Sequence, residues 1–191
     1  MTDEPSGAVT ADTDLVARAQ AGEAEAAGRL YDEHQPALFR YVSLRVAGRQ
    51  LAEDLTGEVF MRMLSGLPRY RSTQAPFRAW LYRIAHNLVV DYQRQATRYP
   101  LLPLESLQSQ PTEDDPASGG VEQALTIEQV RQAMTELEDA QREVIALRFL
   151  SGLSFQEVAR VLDKSEMAVK ALQHRGLTAL RRSLVQDLPA C

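Results

Sequence analysis

The sequence predicts an all-α fold: two small helical domains joined by a flexible acidic linker, the second containing a helix-turn-helix. Three observations predict it. Apolar residues recur at three- and four-residue steps over most of the chain, and strand-like runs are scarce. That pattern collapses from Tyr99 to Gly120, where Pro100, Pro103, Pro111, Pro116, Gly119 and Gly120 punctuate the chain and Glu113, Asp114 and Asp115 form an acidic run. Near the C-terminus a capping signal, a short helix and a tight turn lead into a second helix. The expected domains are residues 12–98 and 121–186, with 99–120 as the linker.

In chain order, Asp12 to Ala47 reads as helical with breaks expected at Gly22 and Pro36. Leu15, Val16 and Ala19 form a first stripe, and Leu38, Tyr41, Val42 and Arg45 carry the spacing onward. A second helix, Leu51 to Leu64, shows Leu55, Val59 and Met63 on one face with Phe60 beside them, and Gly66 and Pro68 stop it. The polar loop RYRSTQAP (Arg69 to Pro76) places Pro76 in the first turn of the next helix. That helix, Phe77 to Arg94, repeats Phe77, Leu81, Ile84 and Leu88 at helical steps. Helical periodicity returns at Val121 and continues with brief breaks to Leu184.

Ser154 and Glu157 form a capping box, in which each side chain satisfies the other residue's free backbone donor. Val158, Ala159 and Leu162 then face inward, and small Ala159 permits close crossing by the next helix. Asp163 sits where such a turn commonly has Gly. It tolerates left-handed backbone better than most residues. Ser165 can cap the second helix, whose Val169, Leu172, Gly176 and Leu180 form a buried seam. Glu166, Lys170, Ala171, His174 and Arg175 are left on the outside, and such a helix fits the major groove of DNA.

The net charge of -5 conceals segregation along the chain. Arg62 to Arg98 holds seven arginines against Asp91, and Lys164 to Arg182 holds five basic residues against Glu166. Two basic runs in helical pattern point to nucleic acid, whereas either alone could be a solvated face. No apolar run approaches the ~20 residues of a membrane span, and Met1 to Ala11 lacks the marks of a signal peptide. The only cysteine, Cys191, leaves no disulfide or multi-cysteine metal site within the chain, as fits a reducing cytoplasm. His34, His86 and His174 do not cluster at ligand spacing, and neither a GxSxG elbow nor a phosphate-cradling Gly loop is present. No enzyme, metal or cofactor is expected.

Two stretches decide what kind of DNA binder this is. PFRAWLYRIAHNLVVDYQR (Pro76 to Arg94), preceded by AEDLTGEVFMRML (Ala52 to Leu64), resembles the extracytoplasmic-function (ECF) group of RNA polymerase sigma factors. LSFQEVARVLDKSEMAVKALQHRGLTALRR resembles that group's promoter-reading domain. The likeness runs from Asp14 to Leu184 in the family's domain order. It implies a cytoplasmic protein that binds core RNA polymerase (β′ coiled coil and β flap), promoter DNA and an anti-sigma factor, without membrane insertion.

Residue by residue, the resemblance assigns Asp54, Leu55, Glu58 and Phe60 to the β′ coiled coil; taken alone, Asp54 and Glu58 read as a solvated helix face. It assigns Arg71, Ser72, Thr73, Gln74, Arg78, Trp80, Arg83, Asn87 and Arg94 to recognition and melting of the minus-ten element. Ser72 to Gln74 would capture a flipped base, Asn87 would read a base edge and the arginines would hold phosphates. Spacing also puts Trp80 near Phe77 and Ile84, which favours core packing. Glu166, Lys170, Ala171, His174 and Arg175 match the region facing the minus-thirty-five element, though Ala171 and Ala168 replace residues that often carry hydroxyls there. Two alternatives are an ordinary helix-turn-helix regulator acting without polymerase and a sigma mimic that binds an anti-sigma factor. The linker acids could imitate RNA in a polymerase channel or serve as a solubilising spacer.

Overall fold

The computed structural model describes residues 6–98 and 132–186. The expected linker and the first residues of the second domain lie outside this range. The described residues are helical, with no strand among them.

Helix α1 (Ser6–Gln20) ends at a turn through Gly22, whose φ of +95° is the left-handed backbone that glycine adopts without a Cβ penalty. Arg18 clasps Glu23 across that turn at 2.8 Å. Helix α2 (Ala24–Ser43) then runs straight through Pro36, where a break was expected. Proline removes one backbone donor and crowds the preceding turn. Here both halves of the helix are pinned by packing: Ala26 and Leu30 before the proline, and Leu38, Tyr41 and Val42 after it, are buried. Tertiary burial overrides the local signal.

Helix α3 (Arg49–Gly66) follows Gly48 and passes into a 3₁₀ turn at Leu67–Arg69. Helix α4 (Phe77–Arg98) begins directly after Pro76, as expected, and extends past Arg94. Helices α1 to α4 pack as one bundle around Leu30, Leu38, Tyr41, Met63, Leu81 and Tyr82, all essentially inaccessible to water. Ile84 and Leu55, expected inside, are only partly covered at the edge of that core.

In the second unit a helical turn at residues 132–135 leads to α5 (Asp139–Ile145) and a π turn over Ala146–Leu150. Arg142 holds the entry to α5 by donating to the carbonyls of Met134, Thr135 and Leu137 at 2.7–2.8 Å. Helices α6 (Phe155–Leu162) and α7 (Glu166–Gln186) complete it. Gly176 lets α7 press against α5, since a Cβ there would meet Ile145 Cγ1 at 3.2 Å and Gln141 Cβ at 3.3 Å. The apolar core is continuous across both units, with α6 lying against α4.

Candidate nucleic-acid and polymerase interfaces

The turn between α6 and α7 is built as the sequence indicates. Ser154 Oγ accepts from the Glu157 amide at 3.2 Å, and Glu157 Oε2 accepts from the Ser154 amide at 2.7 Å. Removing the cap with Ser154→Ala should cost about 1 kcal/mol, read as a lower urea midpoint with unchanged slope. Asp163 adopts left-handed backbone (φ 52°, ψ 49°), and the Lys164 amide reaches back to the Ala159 carbonyl at 2.9 Å. Ser165 Oγ then accepts from the Ala168 amide at 3.2 Å, opening α7.

Helix α7 buries Val169, Leu172 and Gly176 and exposes Glu166, Lys170, Ala171, His174 and Arg175. The five candidate residues therefore share the outer surface. Met167 joins them at 81% exposure, an apolar tip among polar neighbours that the charge pattern of the sequence does not mark. Phe155 lies beneath two cations, the Arg148 guanidinium 4.1 Å and the Lys170 ammonium 5.4 Å from its ring centre. Such contacts orient the lysine stem while its charge stays in water.

In the first unit, Ser72, Thr73 and Gln74 are exposed at the tip of a braced loop. Gln20 Nε2 donates to the Leu67 and Tyr70 carbonyls at 2.8 and 2.9 Å, and Tyr70 Oη donates to the Ala75 carbonyl at 2.7 Å. Burial, and then Asp12, push the Tyr70 hydroxyl up to about 12, so it stays a donor. The Arg71 guanidinium donates to the Pro68 and Tyr70 carbonyls at 3.2 and 3.0 Å, stiffening the same loop.

Arg83, Asn87 and Arg94 are exposed, and their spacing places them along one stripe of α4. Two candidates depart from it. Trp80 packs at 4.8 Å from Tyr70 and 5.9 Å from Phe77 between ring centres and lies over Gly66, where a Cβ would stand 3.0 Å from its ring. This is core packing rather than an open stacking platform. Arg78 points to the opposite side of α4, where its guanidinium donates to the Ser151 carbonyl of the second unit.

On α3, Asp54 and Glu58 are exposed and Leu55 is half-buried. Asp54 Oδ1 accepts from Gln50 at 3.0 Å, and Glu58 pairs with Arg62 at 2.8 Å. Phe60 corrects the expectation: it is 4% exposed with its ring 4.5 Å from Tyr31, so it supports this surface from below instead of forming it. The apolar component comes from Met61 (62% exposed) and Leu64 (45%). Residue spacing puts Met61 on the same stripe as Asp54 and Glu58. Sequence reasoning missed both because they look like ordinary members of an apolar repeat.

The histidines sit in different settings. His34 Nε2 meets Asp12 at 3.0 Å and ties α2 to α1, with Glu33 close enough that the three could share a ligand. The sequence, 22 residues apart, gave no sign of that meeting. His86 lies at the junction of the two units, its Nδ1 3.1 Å from Glu143 Oε1. Burial, followed by the positive charges of Arg45, Arg83 and Lys164, holds His86 down to about 4. The ring is thus neutral at pH 7, with Nδ1–H donating to the carboxylate.

Residues 30–99 match the family model Sigma-70 region 2, and residues 133–182 match Sigma-70, region 4. The chain is 41% identical over 175 residues to the ECF RNA polymerase sigma factor BldN of Streptomyces coelicolor, covering 91% of this chain and 66% of that one. It is 35% identical to the ECF RNA polymerase sigma factor ShbA of Streptomyces griseus, covering 87% and 92%. The chain belongs to the ECF group of RNA polymerase sigma factors. Among solved structures, this sigma factor resembles CnrH in complex with the cytosolic domain of CnrY, with TM-score 0.69 and 25% identity over 93% of this chain and 99% of that one. The fold is shared with the sigma factor RpoE of Bartonella quintana, solved with the anti-sigma factor NepR (TM-score 0.68, 21% identity, 84% and 98% coverage). Sigma factors of this family bind core RNA polymerase and promoter DNA and are not enzymes. No described helix of this one is long and apolar enough to cross a membrane.

Proposed function

We propose that this sigma factor works in the cytoplasm, grips core polymerase with the outer face of α3, opens the minus-ten element with α4 and the preceding loop, and reads the minus-thirty-five element with α7. The observation that carries this is the exposed face of α7: five candidate residues share it behind a capped, tightly turned helix pair. The braced tip Ser72–Gln74 and the stripe Arg83, Asn87 and Arg94 support the minus-ten assignment. Asp54, Glu58, Met61 and Leu64 supply the acids and apolar edge that suit a basic, apolar partner helix. Phe149 and Leu150, 56% and 40% exposed in the π turn, offer a second apolar contact for polymerase, at the β flap.

The domain assignment 12–98 and 121–186 belongs to this reading, supported by the family matches inside both ranges. An anti-sigma factor is a further proposed partner; CnrH, which this chain resembles, was solved in complex with a second protein, the cytosolic domain of CnrY. In vitro transcription with core polymerase and a genomic promoter library tests the whole. Transcripts from a defined promoter set are expected only when chain and core are combined. Nanomolar sequence-specific duplex binding by the free chain, with no effect on transcription, would replace this reading by that of an ordinary regulator.

A further inference from the structure

We propose that Met167 is a specificity residue of the promoter-reading helix, taking the C5-methyl group of a thymine in the minus-thirty-five element, with Ala171 extending the apolar contact one turn further along. This rests on the proposed role of α7 and adds the base that its first turn selects.

A single exposed apolar side chain is ordinary on a protein surface and by itself calls for no partner. Met167 differs in where it stands. The chain turns through left-handed Asp163, Ser165 Oγ accepts from the Ala168 amide at 3.2 Å, and Met167 is the second residue of α7. In a helix-turn-helix the N-terminal residues of the second helix are those that reach base edges. Met167 is 81% exposed at that place, more than any other large apolar side chain among the described residues.

Its neighbours complete a stripe. Met167, Lys170, Ala171 and His174 follow one another at three- and four-residue steps, and all are exposed. Met167 and Ala171 lie about 6 Å apart along the helix axis, close to two base-pair steps of about 3.4 Å each. The Lys170 ammonium rests 5.4 Å from the centre of the Phe155 ring, which holds the nearest cation of the stripe toward α6. Helix α7 packs on α5 and α6 through its opposite face, with Val169, Leu172 and Gly176 buried. The outer stripe therefore carries two apolar groups among side chains of both signs.

The chemistry of the groove leaves one partner for those groups. The thymine methyl is the one apolar substituent that base edges display in the major groove; the others are hydrogen-bond donors and acceptors. A thioether pressed on an amino group, a keto oxygen or a ring nitrogen would strip water from it and return little. Against thymine it buries methyl on methyl. Methionine is unbranched and follows the shape of what it covers. Met167 thus favours a T·A pair without a hydrogen bond of its own.

The test uses holoenzyme formed from the full chain and core polymerase, with a promoter recovered from the genomic library. Each thymine of its minus-thirty-five element, on either strand, is replaced in turn by uracil, which removes the methyl and keeps every donor and acceptor. Wild-type holoenzyme is expected to lose about fourfold in promoter affinity at one position or at two nearby ones, the effect of one methyl leaving a buried contact. Met167→Gln, similar in length and helix propensity, should abolish the loss at one of them, and Met167→Leu should restore it. Arg175→Ala should weaken binding and keep the thymine-to-uracil ratio. The wild-type ratio retained in Met167→Gln, or no uracil effect at any position, would overturn the inference while dependence on the element persists. If replacing the whole element leaves binding unchanged, the proposed role of α7 falls with it.

Discussion

Met61→Glu should reduce assembly with core polymerase by at least about tenfold while leaving the melting temperature of the free chain unchanged. Met61 is 62% exposed, so its side chain contributes little to the core, and a charge there meets water. In the complex it would sit about one turn beyond Glu58 on the stripe that also carries Asp54, where those acids can steer a basic partner but cannot supply apolar contact. Interfaces concentrate affinity in a few desolvated apolar or aromatic groups, each worth about 2 kcal/mol or more when lost. Leu64→Ser should act in the same direction with a smaller effect, since less of Leu64 is exposed. Competition for core polymerase against a labelled second sigma factor measures both. Undiminished competition by Met61→Glu would remove α3 from the polymerase interface.

Arg175→Ala should cost about 1–3 kcal/mol on promoters that carry the minus-thirty-five element and little on those that lack it. The side chain is exposed on α7 and makes no hydrogen bond or ion pair among the described residues, so truncation should leave the fold intact and read out the proposed contact with DNA. Lys170→Ala should cost less. The Lys170 stem lies beside the Phe155 ring, and a single ammonium makes a less directional contact than a guanidinium fork. Abortive transcription on matched promoter pairs separates the outcomes. Equal losses on both promoter types would move Arg175 from base reading to general electrostatic attraction.

Much of this architecture was legible because its signals are local. The capping box, the tolerance of Asp163 for left-handed backbone, the cap at Ser165 and the small residue at Gly176 all depend on neighbours in sequence, and each appears where the pattern placed it. The failures depend on distant neighbours. Pro36 carries a true helix-breaking signal, but buried residues on both sides hold the helix together. Phe60 and Met61 are adjacent and both apolar, yet Phe60 is covered, its ring against Tyr31, while Met61 is exposed. The meeting of Glu143 with Tyr41, Arg45 and His86 was invisible because those partners lie in a different unit.

The π turn at Ala146–Leu150 has a consequence for how the chain is phased. A π turn takes in one residue more than an α turn, and each helical residue advances the side chains by about 100°. Here the Ser151 amide bonds back to Ala146, and Phe149 and Leu150 emerge on the outside while Ala146 and Leu147 stay in the core. The segment behaves as a regular helix carrying a one-residue insertion. Shortening it by one residue would restore the α register, rotate every later side chain of the turn by that step, and exchange an apolar outer surface for a more uniform helix. Its outward display of Phe149 and Leu150 is therefore a matter of counting: one residue added to a helix, rather than any new element, creates it.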